Sequence, residues 1–518
     1  MQTHLAPEYQ NTVEGREAEA ILRKCVHCGF CTATCPTYQL LGDELDGPRG
    51  RIYLMKQVLE GAEPTRATQQ HLDRCLTCRN CESTCPSGVQ YGHLVDIGRK
   101  LVDAKVQRPM GERVMRWALK EGLPSPLFAP AMKLGQAVRG LLPEALKAKV
   151  PAPQNASRNG VTWPTQTHAR KVLMLAGCVQ PAMLPNINTA TARVLDAAGI
   201  QTLVAPEAGC CGAVKFHLND QDGGMVQMRA NIDAWWPFVE QGVEAIVMNA
   251  SGCGVMVKDY GHVLQHDPAY AAKAQRISAL TKDLSELLPD LVPMLKPKLN
   301  AAALAKAGMQ AFHPPCTLQH GQQLKGGVEK HLADLGFAIQ VANTEAHLCC
   351  GSAGTYSVLN PEISYTLRDR KLGHLQALPP AEEVYLALGT TIKVAGSQAA
   401  FRAVDLQANL AVAQAAVAAG VQRIGLVSAA GANAQSSVFY NRVKGELEDA
   451  LKAMHLEALV IAQPSLLLDY RDGLQQPPRL GEKIAILIAR LLAPLIAGRY
   501  RPVHARAGAR TLVKTLPT

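Results

Sequence analysis

The sequence predicts a multidomain chain in three parts: an α-helical module built around eight cysteines, an α/β region duplicated around a Cys-Cys-Gly signature, and a partial α/β segment behind it. Three observations carry that prediction. Eight of the fifteen cysteines fall into two copies of one spacing, two stretches of strand–helix–strand pattern each lead into Cys-Cys-Gly, and no cysteine follows Cys350. With 518 residues, 47 % of them hydrophobic, the chain can bury several cores, so about three domains are expected.

Glu14 to Arg23 reads as a short helix feeding the first cysteine run, Cys25-x2-Cys28-x2-Cys31-x3-Cys35-Pro36. Pro48-Arg49-Gly50-Arg51 opens a second helix that reaches about Glu60, and Gln69 to Arg74 leads into the second run, Cys75-x2-Cys78-x2-Cys81-x3-Cys85-Pro86. Tyr91 to Val106 continues as a helix away from it. This spacing holds pairs of cubane iron–sulfur clusters: three closely spaced thiolates wrap one cluster, and the fourth, leaving past a proline, reaches the neighbouring one. Cys25, Cys28, Cys31 and Cys85 are therefore assigned to one [4Fe–4S] cluster, and Cys75, Cys78, Cys81 and Cys35 to the other. The expectation is an all-helical, ferredoxin-like module over residues 1–110. Its order is expected to depend on the metal, because little apolar surface lies between the loops.

Two plainer readings compete. A secreted disulfide framework conflicts with the fifteen cysteines, the long cysteine-free stretches and the lack of an apolar signal segment near Met1. Zinc knuckles use Cys-x2-Cys, but rarely four cysteines in sequence followed by proline, twice over. Thiolates in this number argue for a reducing compartment, so the expectation is cytoplasmic.

From Gly122 to about Thr167 the hydrophobic period is lost and prolines accumulate, marking residues 111–168 as a linker with one helix inside it. A duplicated region then runs over 169–378. Val172 to Ala176 is a short buried strand ending at Gly177-Cys178, Asn186 to Ala198 has helical period, and Gln201 to Ala205 is a strand leading to Cys210-Cys211-Gly212. Ala245 to Met248 is a further strand, ending at Ser251-Gly252-Cys253. Cysteines at strand ends of a parallel α/β unit stand where such sheets gather ligands.

The pattern returns at Gln310-Ala311-Phe312-His313-Pro314-Pro315-Cys316 and Cys349-Cys350-Gly351, with 32 residues from Cys178 to Cys210 and 33 from Cys316 to Cys349. Adjacent cysteines do not readily form an unstrained disulfide, so Cys178, Cys210, Cys211 and Cys253, and in the second copy Cys316, Cys349 and Cys350, are candidates for one further cluster or for redox thiols. Ordinary core cysteines are the alternative.

Together these residues resemble the iron–sulfur subunit of glycolate oxidase (glycolate dehydrogenase), and more distantly the small subunit of anaerobic glycerol-3-phosphate dehydrogenase and the heterodisulfide reductase subunits. The likeness covers roughly residues 1–378 and rests on Cys25-Val26-His27-Cys28-Gly29-Phe30-Cys31, Leu45-Asp46-Gly47-Pro48-Arg49-Gly50-Arg51, Cys75-Leu76-Thr77-Cys78-Arg79-Asn80-Cys81-Glu82 and Cys349-Cys350-Gly351-Ser352-Ala353-Gly354-Thr355-Tyr356. It implies an electron-transfer subunit with no catalytic residue of its own. A separate FAD-containing subunit would oxidise glycolate to glyoxylate, and electrons would pass onward to a quinone or membrane acceptor. Two alternatives stand beside it: a lactate or glycerol-3-phosphate dehydrogenase iron–sulfur subunit, and a heterodisulfide-reductase-like enzyme acting at the Cys-Cys-Gly region.

Two departures stand out. The second repeat should continue into a strand ending in Gly-Cys, but the counterpart of Cys253 is Ile392, within a strand read over Glu383 to Lys393. In the first repeat Met256 stands where a Cys-x2-Cys partner of Cys253 is expected.

Residues 379–518 read differently. Leu388 to Lys393, Ala395-Gly396-Ser397-Gln398 and Phe439 to Glu446 resemble the later part of an atypical short-chain NAD(P)-binding reductase, a partial Rossmann-like segment in which Ser428, Tyr440 and Lys444 match that family's Ser and Tyr-x3-Lys set. No Gly-rich strand–helix turn precedes it to seat a pyrophosphate, so NAD(P) binding is not expected and an inactive α/β remnant is preferred. The apolar stretch Ile484 to Ala497, interrupted by Arg490, is too short to span a bilayer, so membrane contact would be peripheral, at the inner face. A net charge of +10 without basic runs interleaved with aromatics gives no nucleic-acid signature and suits an acidic partner or an anionic membrane.

Overall fold

The computed structural model describes residues 1–143, 147, 150–153, 162–376, 383–390, 392–418 and 421–464. The chain divides into two compact units, 1–378 and 379–518.

The first unit begins with helices Val13–Lys24, Pro48–Leu59, Arg66–Asp73 and Tyr91–Lys105, separated by the cysteine loops. Local chemistry starts them: the Thr12 side chain accepts from the Gly15 amide, Pro48 occupies the first helical turn, and Thr65 and Thr68 form a reciprocal capping box. Leu22, Met55, Leu59, Leu72 and Leu94 are each at most 1 % exposed and pack into one core. The core is larger than the apolar-poor loops suggested: Ile21, Ile52 and Val102 turn inward from the helices and Leu5 from the segment ahead of them, and each fully buried aliphatic contributes about 1.5–3 kcal/mol. Two further helices, Met110–Gly122 and Phe128–Ala137, follow.

The first repeat is a four-stranded parallel sheet of β1 (Arg170–Met174), β2 (Ile200–Leu203), β3 (Ile246–Met248) and β4 (Thr281–Asp283), in the order β2-β1-β3-β4. Both faces are covered. Leu173, Ile246 and Met248 face Met228, Trp235 and Tyr260, whereas Val172, Ile200 and Val247 face Leu195 and Leu291. Strands β1, β2 and β3 lie within one or two residues of those read from the sequence, and β4 is an addition that the sequence reading did not make.

The second repeat is smaller: β5 (Met309–Phe312) pairs in parallel with β6 (Ala338–Val341), flanked by helices Gly327–Asp334 and Pro361–Gln376. The strand expected over 383–393 forms only as β7 (Glu383–Leu386), and it does not extend this sheet. It pairs instead with β8 (Arg423–Val427), which pairs with β9 (Ala458–Ala462), in the parallel sheet of the second unit. The reading of β7 as the closing strand of the second repeat is therefore corrected.

In the second unit Phe401, Ile424, Leu426, Val443 and Leu447 form the core between that sheet and helices such as Phe439–Lys452. The stretch from Ile484 to Ala497 lies outside the described residues. No helix among the described residues is long and apolar enough to cross a membrane.

Candidate functional site

The two cysteine runs fold as near-copies. His27 and Gly29 in the first, and Thr77 and Arg79 in the second, take left-handed backbone conformations (φ 58°, 84°, 52° and 58°), which turn the chain tightly between successive thiols. Cys25, Cys28, Cys31 and Cys85 line one cavity, which Cys81 also touches. Cys35, Cys75, Cys78 and Cys81 line a second. In each case the fourth cysteine of one run stands with the triplet of the other.

The protein around these cavities suits metal-bound thiolates. Burial and the neighbouring Cys25 thiol push Cys31 up to about 11, and burial raises Cys81, so these two thiols hold their protons until a cation compensates. Among the described residues no three cysteine sulfurs lie within 4.8 Å of one another, which is too open for a single zinc ion and leaves room for inorganic cores.

The Leu45-to-Arg51 stretch has a structural task that spacing did not disclose. Arg51, 1 % exposed, donates to the His71 carbonyl at 2.7 Å and to Thr37 Oγ1 at 3.1 Å, and pairs with Asp46 at 3.4 Å. Asp46 also holds Arg74 at 2.8 Å and His71 at 3.1 Å. This buried network fastens the two cysteine runs together around Cys35. Gly50 is required because a Cβ there would lie 2.1 Å from the Glu44 carbonyl oxygen.

In the first repeat Cys178, Cys210, Cys211 and Cys253 converge. Hydrogen bonds from Cys178 and Cys211, with the Gly212 and Val214 amides, pull Cys210 down to about 3, while Cys178 and Cys211 are raised in return. The Cys-Cys-Gly turn is clamped from behind: Asn231 donates to the Cys210 carbonyl at 2.8 Å and accepts from the Gly209 amide at 2.8 Å, and Tyr260 donates to the Cys211 carbonyl at 2.9 Å. Neither Asn231 nor Tyr260 was legible as a site residue. Met256 is buried in the same core rather than turned into a ligand position.

In the second repeat the Cys316 and Cys349 sulfurs lie 3.7 Å apart, and Cys350 is partly exposed beside them. Both buried thiols pack against Leu76 and Cys78 of the second cysteine run. Ile392, the counterpart of Cys253, belongs to the other unit.

A cavity of about 910 Å³ joins these parts. Cys178, Cys210, Cys211 and Cys253 line it, as do Cys78, Cys316 and Cys350. Nothing in the spacing announced that the two repeats and the second cysteine run share one space.

In the second unit Lys444 forms a buried ion pair with Asp405 at 2.8 Å, Ser428 donates to Glu448, and Tyr440 packs 5.6 Å from the Phe401 ring. Lysine and serine are thus both engaged by carboxylates of their own unit.

Comparison with known proteins bears on the same regions. Residues 21–89 match the 4Fe-4S dicluster domain family, and residues 172–258 and 310–383 each match the cysteine-rich domain family. The chain is 52 % identical over 398 residues to the glycolate oxidase iron–sulfur subunit of Escherichia coli (strain K12), covering 77 % of this chain and 95 % of that one. It is 32 % identical over 397 residues to the probable glycolate oxidase iron–sulfur subunit of Bacillus subtilis (strain 168), covering 71 % and 87 %. Lactate utilization protein A of Geobacillus kaustophilus (strain HTA426) is 27 % identical over 220 residues, covering 42 % and 85 %. The reductase likeness read after residue 379 finds no support in these relatives.

Proposed function

The chain belongs to the family of glycolate oxidase iron–sulfur subunits, and from that premise we propose that it passes electrons from a flavin-bearing partner that oxidises glycolate to glyoxylate toward a quinone-type acceptor. As a member of that family it is an electron-transfer subunit with two [4Fe–4S] clusters. Bound clusters of this kind accept and release single electrons at potentials set by charge, burial and hydrogen bonds around their sulfurs.

Cys25, Cys28, Cys31 and Cys85 hold one cluster, and Cys35, Cys75, Cys78 and Cys81 the other. The observation that carries this assignment is the crossed lining of the two cavities. Arg51 sets a fixed positive charge beside Cys35 and Cys75, which favours the reduced, more negative state. Leu22, Met55 and Leu94 keep the surrounding core dry.

Cys178, Cys210, Cys211 and Cys253 form a further cluster site, supported by four convergent sulfurs at the ends of β1, β2 and β3. Cys316, Cys349 and Cys350 are one ligand short and act as a buried thiol set beside Cys78. The +10 net charge supports peripheral attachment to an anionic inner membrane face. The α/β segment after 379 is a partial Rossmann-like remnant whose lysine and serine are committed to Asp405 and Glu448.

In the complex with its flavin partners, Cys28→Ser abolishes acceptor reduction while glycolate still bleaches the flavin. Loss of flavin bleaching as well would count against a relay role. A second reading, lactate as donor, is favoured by the lactate utilization relatives. Glycolate and lactate assays on the same complex decide between the two.

A further inference from the structure

The second repeat holds two thiols that none of the cluster sites uses. Cys316 Sγ lies 3.7 Å from Cys349 Sγ, and the two residues are 9 % and 1 % exposed. They leave different turns, Cys316 behind β5 and Cys349 at the Cys-Cys-Gly corner.

Two buried side chains hold those turns in register. Gln319 Nε2 donates to the Pro314 carbonyl at 2.7 Å and to the Ala346 carbonyl at 3.3 Å, bridging the segment ahead of Cys316 to the segment ahead of Cys349. His320 Nε2 donates to the His347 carbonyl at 2.9 Å, two residues before Cys349. Sulfurs in contact within such a frame reach the bonded separation of about 2.05 Å by rotation of their side chains. Cys349 and Cys350 lack that freedom, because adjacent residues form a strained bridge.

The pair has an electron route on one side and a proton route on the other. Leu76 and Cys78 of the second cysteine run pack against both thiols, together with Tyr356 and Leu367. Of the two, Cys316 lines the large cavity, and Cys349 reaches it through the hydrogen bond between the sulfurs.

A metal centre is the competing occupant. The first repeat supplies four sulfurs, whereas the second supplies three, and β7, the strand that should return a fourth, pairs in another sheet. A single ion fares no better, since among the described residues no three cysteine sulfurs lie within 4.8 Å of one another.

We propose that Cys316 and Cys349 form a reversible dithiol–disulfide couple that takes up and returns the two electrons of one glycolate oxidation. The proposal rests on the preceding reading of the second repeat as a thiol set and adds the chemistry that the set performs. On reduction the S–S bond breaks, two electrons from glycolate, passed on by the flavin-bearing partner, arrive one at a time past Cys78, and each sulfur gains a proton from water in the cavity. On oxidation both S–H bonds break, the two protons return to the cavity, the two electrons leave past Cys78 for the quinone-type acceptor, and the S–S bond re-forms.

The test uses the intact complex, prepared anaerobically and poised either with glycolate or with excess ferricyanide, then quenched in acid, alkylated with a maleimide and digested with trypsin. After ferricyanide, peptides 307–325 and 331–368 are expected as one disulfide-linked species, and after glycolate as separate alkylated peptides. Cys350→Ser keeps the link, and Cys349→Ser loses it. In a titration with glycolate and no acceptor, Cys316→Ser takes up two electrons fewer per chain than the wild type, while iron and acid-labile sulfide stay unchanged. Separate peptides in both states, a link that glycolate does not open, loss of the link in Cys350→Ser, or an unchanged electron count would overturn the proposal. Loss of about four irons per chain in Cys316→Ser would overturn the thiol-set reading itself, and the couple with it.

Discussion

The two Cys-Cys-Gly repeats share a turn and diverge in what is built on it. In both, the glycine takes a left-handed conformation, with φ of 91° at Gly212 and 83° at Gly351, and lies close to the backbone of a later helix, Gln221–Glu240 in the first repeat and Pro361–Gln376 in the second. In both, a lone cysteine follows the first strand, Cys178 after β1 and Cys316 after β5. The first repeat then continues into β3 and returns a fourth sulfur, Cys253. The second stops at the Pro361–Gln376 helix, because the next strand, β7, pairs within another sheet.

Their attachment to the helical module differs as well. The first repeat docks through charge, with Arg79 on Asp259 and His217 on Asp96, both at 3.0 Å. The second docks mainly through neutral hydrogen bonds: Ser83 donates to His320 Nδ1 at 2.8 Å and Tyr356 donates to the Arg74 carbonyl at 2.7 Å, with the Arg370 guanidinium donating to Gln39 at 3.2 Å. The comparison teaches that a ligand turn is a local property of the chain, whereas the number of sulfurs it serves is a property of the sheet.

The sharpest way to break this comparison is a pair of serine substitutions. Cys253→Ser is expected to remove about four irons per chain, whereas Cys350→Ser leaves the iron count unchanged, as read by iron and acid-labile sulfide analysis. Equal losses would mean that both repeats hold clusters.

Next comes a pair of alanine substitutions at the shared glycine. A Cβ at Gly351 would stand 2.3 Å from the Ser364 carbonyl oxygen, and one at Gly212 would stand 3.0 Å from that of Gly224. Gly351→Ala should therefore destabilise by roughly 3 kcal/mol and Gly212→Ala by about 1–2 kcal/mol, on chemical denaturation monitored by fluorescence. The reverse order would show that the second repeat yields where the first does not.

The smallest effect concerns acid. Burial pushes His320 down to about 4, so the folded protein holds it neutral while the unfolded chain protonates it near pH 6.5. Its contribution is complete above pH 6.5 and is lost as pH falls toward 4, by on the order of 2 kcal/mol. Hydrogen exchange at 316–324 should rise across that window, and His320→Gln should flatten the rise. At the docking of the first repeat the acid loss comes at lower pH, because against the opposing effect of burial His93 and Arg79 hold the Asp259 carboxyl below its ordinary value.

Much of this was readable from residue spacing. The helices around the cysteine runs, the strands β1, β2, β3 and β5 and the duplicated turn all follow from short-range pattern, because period, proline and glycine act within a few residues. The shared core of the helical module was not readable, for the opposite reason. Leu22, Met55 and Leu94 come from three separate helices, and no window of sequence shows that they meet.

The sequence by itself determined the chemistry of this protein: which side chains can hold iron, how the thiols are spaced, and where the turn must be glycine. Tertiary structure alone decided that both repeats and the second cysteine run share one cavity, that β7 leaves the second repeat for another sheet, and that His93 faces His262 across a domain boundary. Ligand identity is a property of single residues. Ligand number and proton placement depend on contacts between segments far apart in the chain, and those are chosen by packing, not by spacing.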